Sequence, residues 1–335
     1  MRGVRLTLEP VPLAVGCTAA DGNLDCRWSF RRRVGLSALG ALIVLGGLGV
    51  VLAGRREQFV AALHTAPISL LGVAAALQVL ALLARTEAWN ICVRAAGGSV
   101  GRRLLFRAAG VGYLASVLNG SVGMAVRIAS LRRVAPRQTP RVPALLAAEV
   151  PIITVEVALA AIFSFTLVAP LGVPWWVPAI AVVAVGGAVA ALLRTSENRK
   201  TGLWMGLAVV RGRGRGRMIA FVLLAVCAQV VRNWLMLHAI GVNVSIFDAM
   251  ALLIAMFTLG QLPIGPSIGP AAAVLILGGN GVAAAAAAGV LLAVTGTAGS
   301  LCYAGWAIVD RMVAGRLGPA SEAVAAPAAV SPTPG

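Results

Sequence analysis

Six long apolar runs dominate this chain, at 34–53, 66–84, 144–169, 177–193, 218–240 and 282–309. A helix needs about 20 apolar residues to cross the hydrocarbon layer of a bilayer. Within that layer each segment must satisfy its own backbone donors and acceptors, which leaves helices or closed barrels as the folds available. Runs of this length predict a polytopic, all-α membrane protein. The composition agrees: 59% of the 335 residues are hydrophobic and 12% are charged, against about 25% charged in soluble domains.

The net charge of +17 would fit a nucleic-acid binder in a soluble chain. Here it fits cytoplasmic loops, where basic residues collect and set orientation. Lys200 is the only lysine, and this arginine bias points to a GC-rich, bacterial genome. Arginine-rich stretches precede 34 and fill 102–141 and 194–217. They share one face if the intervening short segments return to the side they enter from. The expected topology has both termini in the cytoplasm of a bacterial inner membrane. The polar segment 1–33 precedes the first span, and the Pro/Ala/Ser-rich residues 314–335 read as a disordered tail. Trp89, at the polar end of the second run, suits an interfacial anchor, as do Trp175 and Trp176.

Two short segments break the apolar pattern. The first contains Asn119, Gly120, Ser121 and Gly123; the second contains Pro263, Gly265, Pro266, Ser267 and Gly269. They share Ser-Val/Ile-Gly-x-Ala, with Ser121, Gly123 and Ala125 answered by Ser267, Gly269 and Ala271. Paired interruptions in corresponding halves are the sequence pointer to a transporter site at the bilayer midplane. The expected architecture is therefore about six full transmembrane helices plus two broken, re-entrant helical units. They would form an inverted repeat with halves at about 66–169 and 218–309.

Ionisable groups within spans cost about 2.5–3.5 kcal/mol each on insertion scales and mark functional interiors. Glu149 and Glu156 are seven residues apart, which brings them to nearly the same helix face. Gln229, Arg232 and Asn233 form one polar stripe at i, i+3, i+4 spacing. The expected chamber sets Glu149 and Glu156 opposite Arg232, near both breaks. Arg85, Glu87 and Arg127 lie at membrane ends, where anchoring is the simpler role, and Arg127 also follows the first break. Cys92, Cys227 and Cys302 sit in apolar surroundings as packing residues. No cysteine pair has CxxC spacing and only two histidines are present, so no metal is expected. HExxH and Walker motifs are absent from the sequence, so neither an enzyme nor a cofactor is expected.

The segment Leu118-Asn119-Gly120-Ser121-Val122-Gly123 followed by Arg127, together with Arg85 and Trp89, Ala148-Glu149, and 262–269, resembles the lysylphosphatidylglycerol synthase transmembrane-region family of flippase-like proteins. The resemblance covers roughly 34–313. The sequence departs from the family pattern at Asn119, Met124 and Val150, where proline, glutamate and arginine are usual, and at the alanines 271–273, which replace a late glutamate. The resemblance implies movement of lipids or lipid-linked molecules between leaflets. The family's synthase activity needs an added aminoacyltransferase domain that is not expected here.

The expected function is a bacterial flippase-like transporter of a phospholipid or lipid-linked substrate. Its partners would be anionic or lipid-linked membrane lipids, without nucleic acid. The alternative is a non-transporting subunit or scaffold that partners a membrane enzyme of the cell envelope.

Overall fold

The computed structural model describes residues 54–116, 120–198, 202–210, 214–242, 244–260 and 268–316, with the isolated positions 46, 49 and 212. The expected first span apart from positions 46 and 49, the N-terminal segment, most of the expected tail, 117–119 at the first break and 261–267 at the second lie outside the described residues. Among those described, every regular element is helical.

A short helix, α1 (Arg56–Thr65), leads into the long α2 (Ile68–Ala95). Then come α3 (Arg102–Ser116) and α4 (Gly120–Val134), and a composite segment of α5 (Val142–Ala147), α6 (Val150–Phe163), a 3-10 turn (Ser164–Leu167) and α7 (Val168–Leu171). Next are α8 (Trp176–Asn198), a 3-10 stretch (Gly202–Val210) and α9 (Arg215–Ala239). The chain finishes with α10 (Ile246–Leu259), α11 (Ile268–Leu277) and α12 (Val282–Arg316).

Five of these segments are long and apolar enough to cross a membrane: Ile68–Ala95, Val142–Leu171, Trp176–Thr195, Arg215–Ala239 and Val282–Ala314. Large apolar side chains are left uncovered on their outer faces; Val183 is 75% exposed, and Ile180, Phe165 and Val309 are exposed with it. An apolar outer surface of this kind is stable in lipid and not in water. The chain is an all-α, multi-pass membrane protein. By contrast α3 and α4 have 15 residues each, α10 has 14 and α11 has 10, all short of a full crossing.

The same element order occurs twice: a long helix, two short helices, then a long segment. The two leading helices, α2 and α9, run antiparallel and form the most extensive helix contact among the described residues. Their central seam is built of alanines, Ala81 and Ala84 against Ala225 and Ala228. Small side chains let two backbones approach closely where lipid offers no hydrophobic drive for association.

Both leading helices also end alike. Gly97 (φ 88°) and Gly241 (φ 76°) adopt the left-handed conformation just past the last turn. Gly98 N–H then donates to Val93 C=O and Gly97 N–H to Arg94 C=O, with Val242 to Leu237 and Gly241 to His238 in the second copy. This is the Schellman arrangement, and it satisfies carbonyls that would otherwise be orphaned.

A separate hydrophobic core gathers at each end of the α2/α9 pair. One holds Trp89, Leu105, Leu131 and Leu145 around α3, α4 and α5. The other holds Leu237, Leu252, Ile276 and Leu292 around α10, α11 and α12. In the first, Gly123 lets α4 meet α3: a Cβ there would lie 2.5 Å from Ser116 Cβ and 2.7 Å from Gly112 O. In the second, a Cβ on Gly289 of α12 would lie 2.4 Å from Pro270 Cα of α11. That contact is backbone on backbone, so no rotamer change relieves it. Gly289→Ala is expected to cost about 1–3 kcal/mol by forcing the helices apart, measured as reduced thermal stability of the purified protein in detergent.

The composite segment breaks where its proline requires. Pro151 has no N–H to give to the carbonyl of Ala147, and its ring crowds that carbonyl. Helix α5 therefore stops at Ala147 and α6 starts at Val150, with Glu149 at its N-cap position.

A candidate anion-binding cavity between the two short-helix units

A cavity of about 630 Å³ lies between the two cores, walled by residues of α2, α3, α6, α9, α10, α11 and α12. Its walls are mainly apolar, with Leu159, Phe163, Met250 and Leu253 among them. Leu223, Val231 and Ile246 line it and are also exposed, so it opens at the surface of the bundle. It touches the rims of both breaks: Ser116 is the last residue of α3, and Ile268 and Gly269 begin α11. The partial positive charge of the α11 N-terminus thus lies at the cavity wall.

Three charged side chains line it: Arg85, Glu156 and Arg232. Arg85 Nη1 donates to Glu156 Oε1 at 2.6 Å, joining α2 to α6. The second carboxylate oxygen of Glu156 is buried without a hydrogen-bond partner. Arg232 is 5% exposed. Its Nη1 donates to Gln78 Oε1, and its Nη2 donates to Asn233 Oδ1 at 3.4 Å. Its Nε is buried and unpartnered. Among the described residues no carboxylate lies within ion-pair distance of Arg232. Gly296 of α12 packs beside it: a Cβ there would stand 3.5 Å from Nη1, an ordinary contact. Removing a guanidinium from water costs several kcal/mol unless it is paired. An arginine held this way by two neutral amides keeps donor capacity that an anion could take up.

The candidates from the sequence divide into groups. Glu156, Gln229, Arg232 and Gly269 line the cavity, and Asn233 is buried beside Arg232. Glu149 does not face Arg232. It lies in the break before α6, and it pairs with Arg127 of α4. Seven-residue spacing places two groups on one face only while the helix is continuous, and Pro151 interrupts it. Arg127 itself is buried, with its guanidinium 4.0 Å from the centroid of the Trp89 ring. Trp89 is 0% exposed, so it is a core residue under a cation and not an interfacial anchor. Gly120 is exposed, and Gly123 serves the α3/α4 contact. Asn119, Pro263, Gly265, Pro266, Ser267 and the side chain of Ser121 lie outside the described residues. Cys92 is buried, but Cys227 and Cys302 are exposed, and Cys227 lines the cavity.

Gln78 and Arg85 complete the site without having been singled out for it. Gln78 was detectable as a lone amide in the middle of an apolar run. Arg85 was visible as a charge, yet nothing local distinguished a cavity role from an end-anchoring one.

A different set of ion pairs ties one end of the bundle. Glu87, buried on α2, accepts from Arg102 Nε at 3.0 Å and lies 3.7 Å from Arg217 of α9. Asp310 of α12 pairs with Arg103 and Arg107 of α3. The arginine-rich ends of four helices therefore meet on one side, while the cavity extends toward Ile246 at the other end.

Compared with family models, curated proteins and solved structures, the chain matches none.

Proposed function

We propose that this protein moves an anionic, phosphate-bearing lipid between the leaflets of a bacterial cytoplasmic membrane. The observation that carries the reading is Arg232: a buried guanidinium without a carboxylate partner among the described residues, on the wall of an apolar cavity inside a membrane bundle. The apolar walls suit acyl chains, and Arg232 with Gln78 and Gln229 suits a phosphate. A cavity of this volume falls in the range that encloses a drug-sized ligand, about 300–1,000 Å³. It would hold a headgroup while the chains remain in the surrounding lipid. The position of the cavity between two short-helix units is the arrangement expected of a midplane transport site. The lysylphosphatidylglycerol synthase-like resemblance over 34–313 supports the same reading. By the positive-inside rule, the arginine-paired end of the bundle is the cytoplasmic one.

The test is the lipid that stays bound. The protein is purified in mild detergent from membranes containing phosphatidylglycerol and phosphatidylethanolamine, then analysed by native mass spectrometry. The expected result is retention of the anionic lipid in preference to the zwitterionic one. Retention in proportion to membrane abundance would count against the proposal.

A further inference from the structure

The three charges of the cavity carry a second consequence, which rests on the anionic-lipid reading above. Arg85 and Arg232 each contribute one positive charge and Glu156 one negative charge. Among the described residues the cavity therefore presents a single fixed positive charge. The two break segments add none, because 117–119 and 261–267 contain no ionisable residue. The other acids near the bundle's charged end are already engaged: Glu149 by Arg127, Glu87 by Arg102 and Arg217, and Asp310 by Arg103 and Arg107.

We infer that the cavity selects amphiphiles carrying one negative charge, a phosphodiester in place of a phosphomonoester or diphosphate, and that Glu156 sets this limit. An uncompensated charge in a weakly polarisable cavity is expensive. A phosphodiester monoanion on Arg232 brings the cavity to neutrality. Phosphatidic acid, a monoester with about −1.5 to −2 charges near neutral pH, leaves an excess that only Arg85 could take up. Arg85 is held by Glu156 at 2.6 Å. Gln78 and Arg85 lie two turns apart on α2, about 10 Å. A phosphate on Arg232 thus shares the cavity with Glu156, whose charge repels any added negative charge.

The experiment measures binding of labelled phosphatidylglycerol and labelled phosphatidic acid, with identical chains, to the full chain in detergent. The wild type is expected to bind phosphatidylglycerol about tenfold more tightly. Glu156→Gln raises the fixed charge by one and should reverse or abolish that preference. The double variant Arg85→Gln/Glu156→Gln returns the fixed charge to its original value and should restore the preference. It also controls for damage done by breaking the ion pair. Equal binding of both lipids by the wild type, or an unchanged preference in Glu156→Gln, would overturn the inference and leave the anionic-lipid reading standing. Failure of the wild type to bind either lipid would overturn both. Glycerophosphoglycerol, the headgroup without chains, is expected to displace the lipid poorly. Displacement at concentrations similar to those of the lipid itself would make the ligand a free phosphodiester and overturn its amphiphilic character.

Discussion

Glu149→Ala is expected to destabilise the protein by about 3–5 kcal/mol. The substitution leaves Arg127 buried at 7% exposure with its counter-charge removed. The ring of Trp89 beneath it supplies a cation–π contact worth about 0.5–2 kcal/mol, too little to offset the loss. Arg127 joins α4 to the start of α6, so the damage should spread through the core around Leu105, Leu131 and Leu145. Denaturant unfolding in detergent measures the effect. Replacing both partners, as Arg127→Met with Glu149→Leu, should recover most of the lost stability, because it removes the stranded charge along with the pair. Equal loss in the single and double variants would show that the pair contributes through more than charge.

Arg232→Gln should behave differently. No carboxylate among the described residues holds Arg232, so removing its charge strands no counter-charge, and the loss should be limited to its hydrogen bonds to Gln78 and Asn233, about 1 kcal/mol and well below that of Glu149→Ala. Binding of anionic lipid should fall about tenfold to a hundredfold, since a hydrogen bond to a charged group contributes about 1.5–3 kcal/mol. Two buried arginines on one scaffold thus give different signatures. Loss at Arg127 is structural; loss at Arg232 is functional with the fold retained. A drop in stability on Arg232→Gln, comparable to that of Glu149→Ala, would assign Arg232 to packing.

These contrasts show which features were legible in the sequence. Membrane spans announce themselves, because crossing hydrocarbon demands long apolar runs, and 68–95, 142–171, 176–195, 215–239 and 282–314 meet that demand. The short helices beside the two breaks were also legible, since glycine, proline and charge interrupt the runs at those places. Arg232 stood out as an ion in an apolar segment. What the sequence could not disclose was the choice of partners. Glu156 faces Arg85, and Glu149 faces Arg127, because α2, α4 and α6 pack in a way that no local pattern encodes. Trp89 illustrates the same limit. At the end of an apolar run a tryptophan usually sits at the interface, but α4 brings Arg127 over it and closes it into the core. Gly123 read as part of the first break and Gly289 as one small residue among many, and only the close approach of their neighbours gives each its packing task.

We propose above that an anionic lipid crosses the membrane by way of Arg232. The direct measurement is the rate at which labelled phosphatidylglycerol changes leaflet in vesicles containing the wild type or the folded Arg232→Gln variant. The wild type is expected to accelerate the exchange, and the variant to leave it close to the rate of protein-free vesicles. No acceleration by the wild type, or equal acceleration by both, would contradict it.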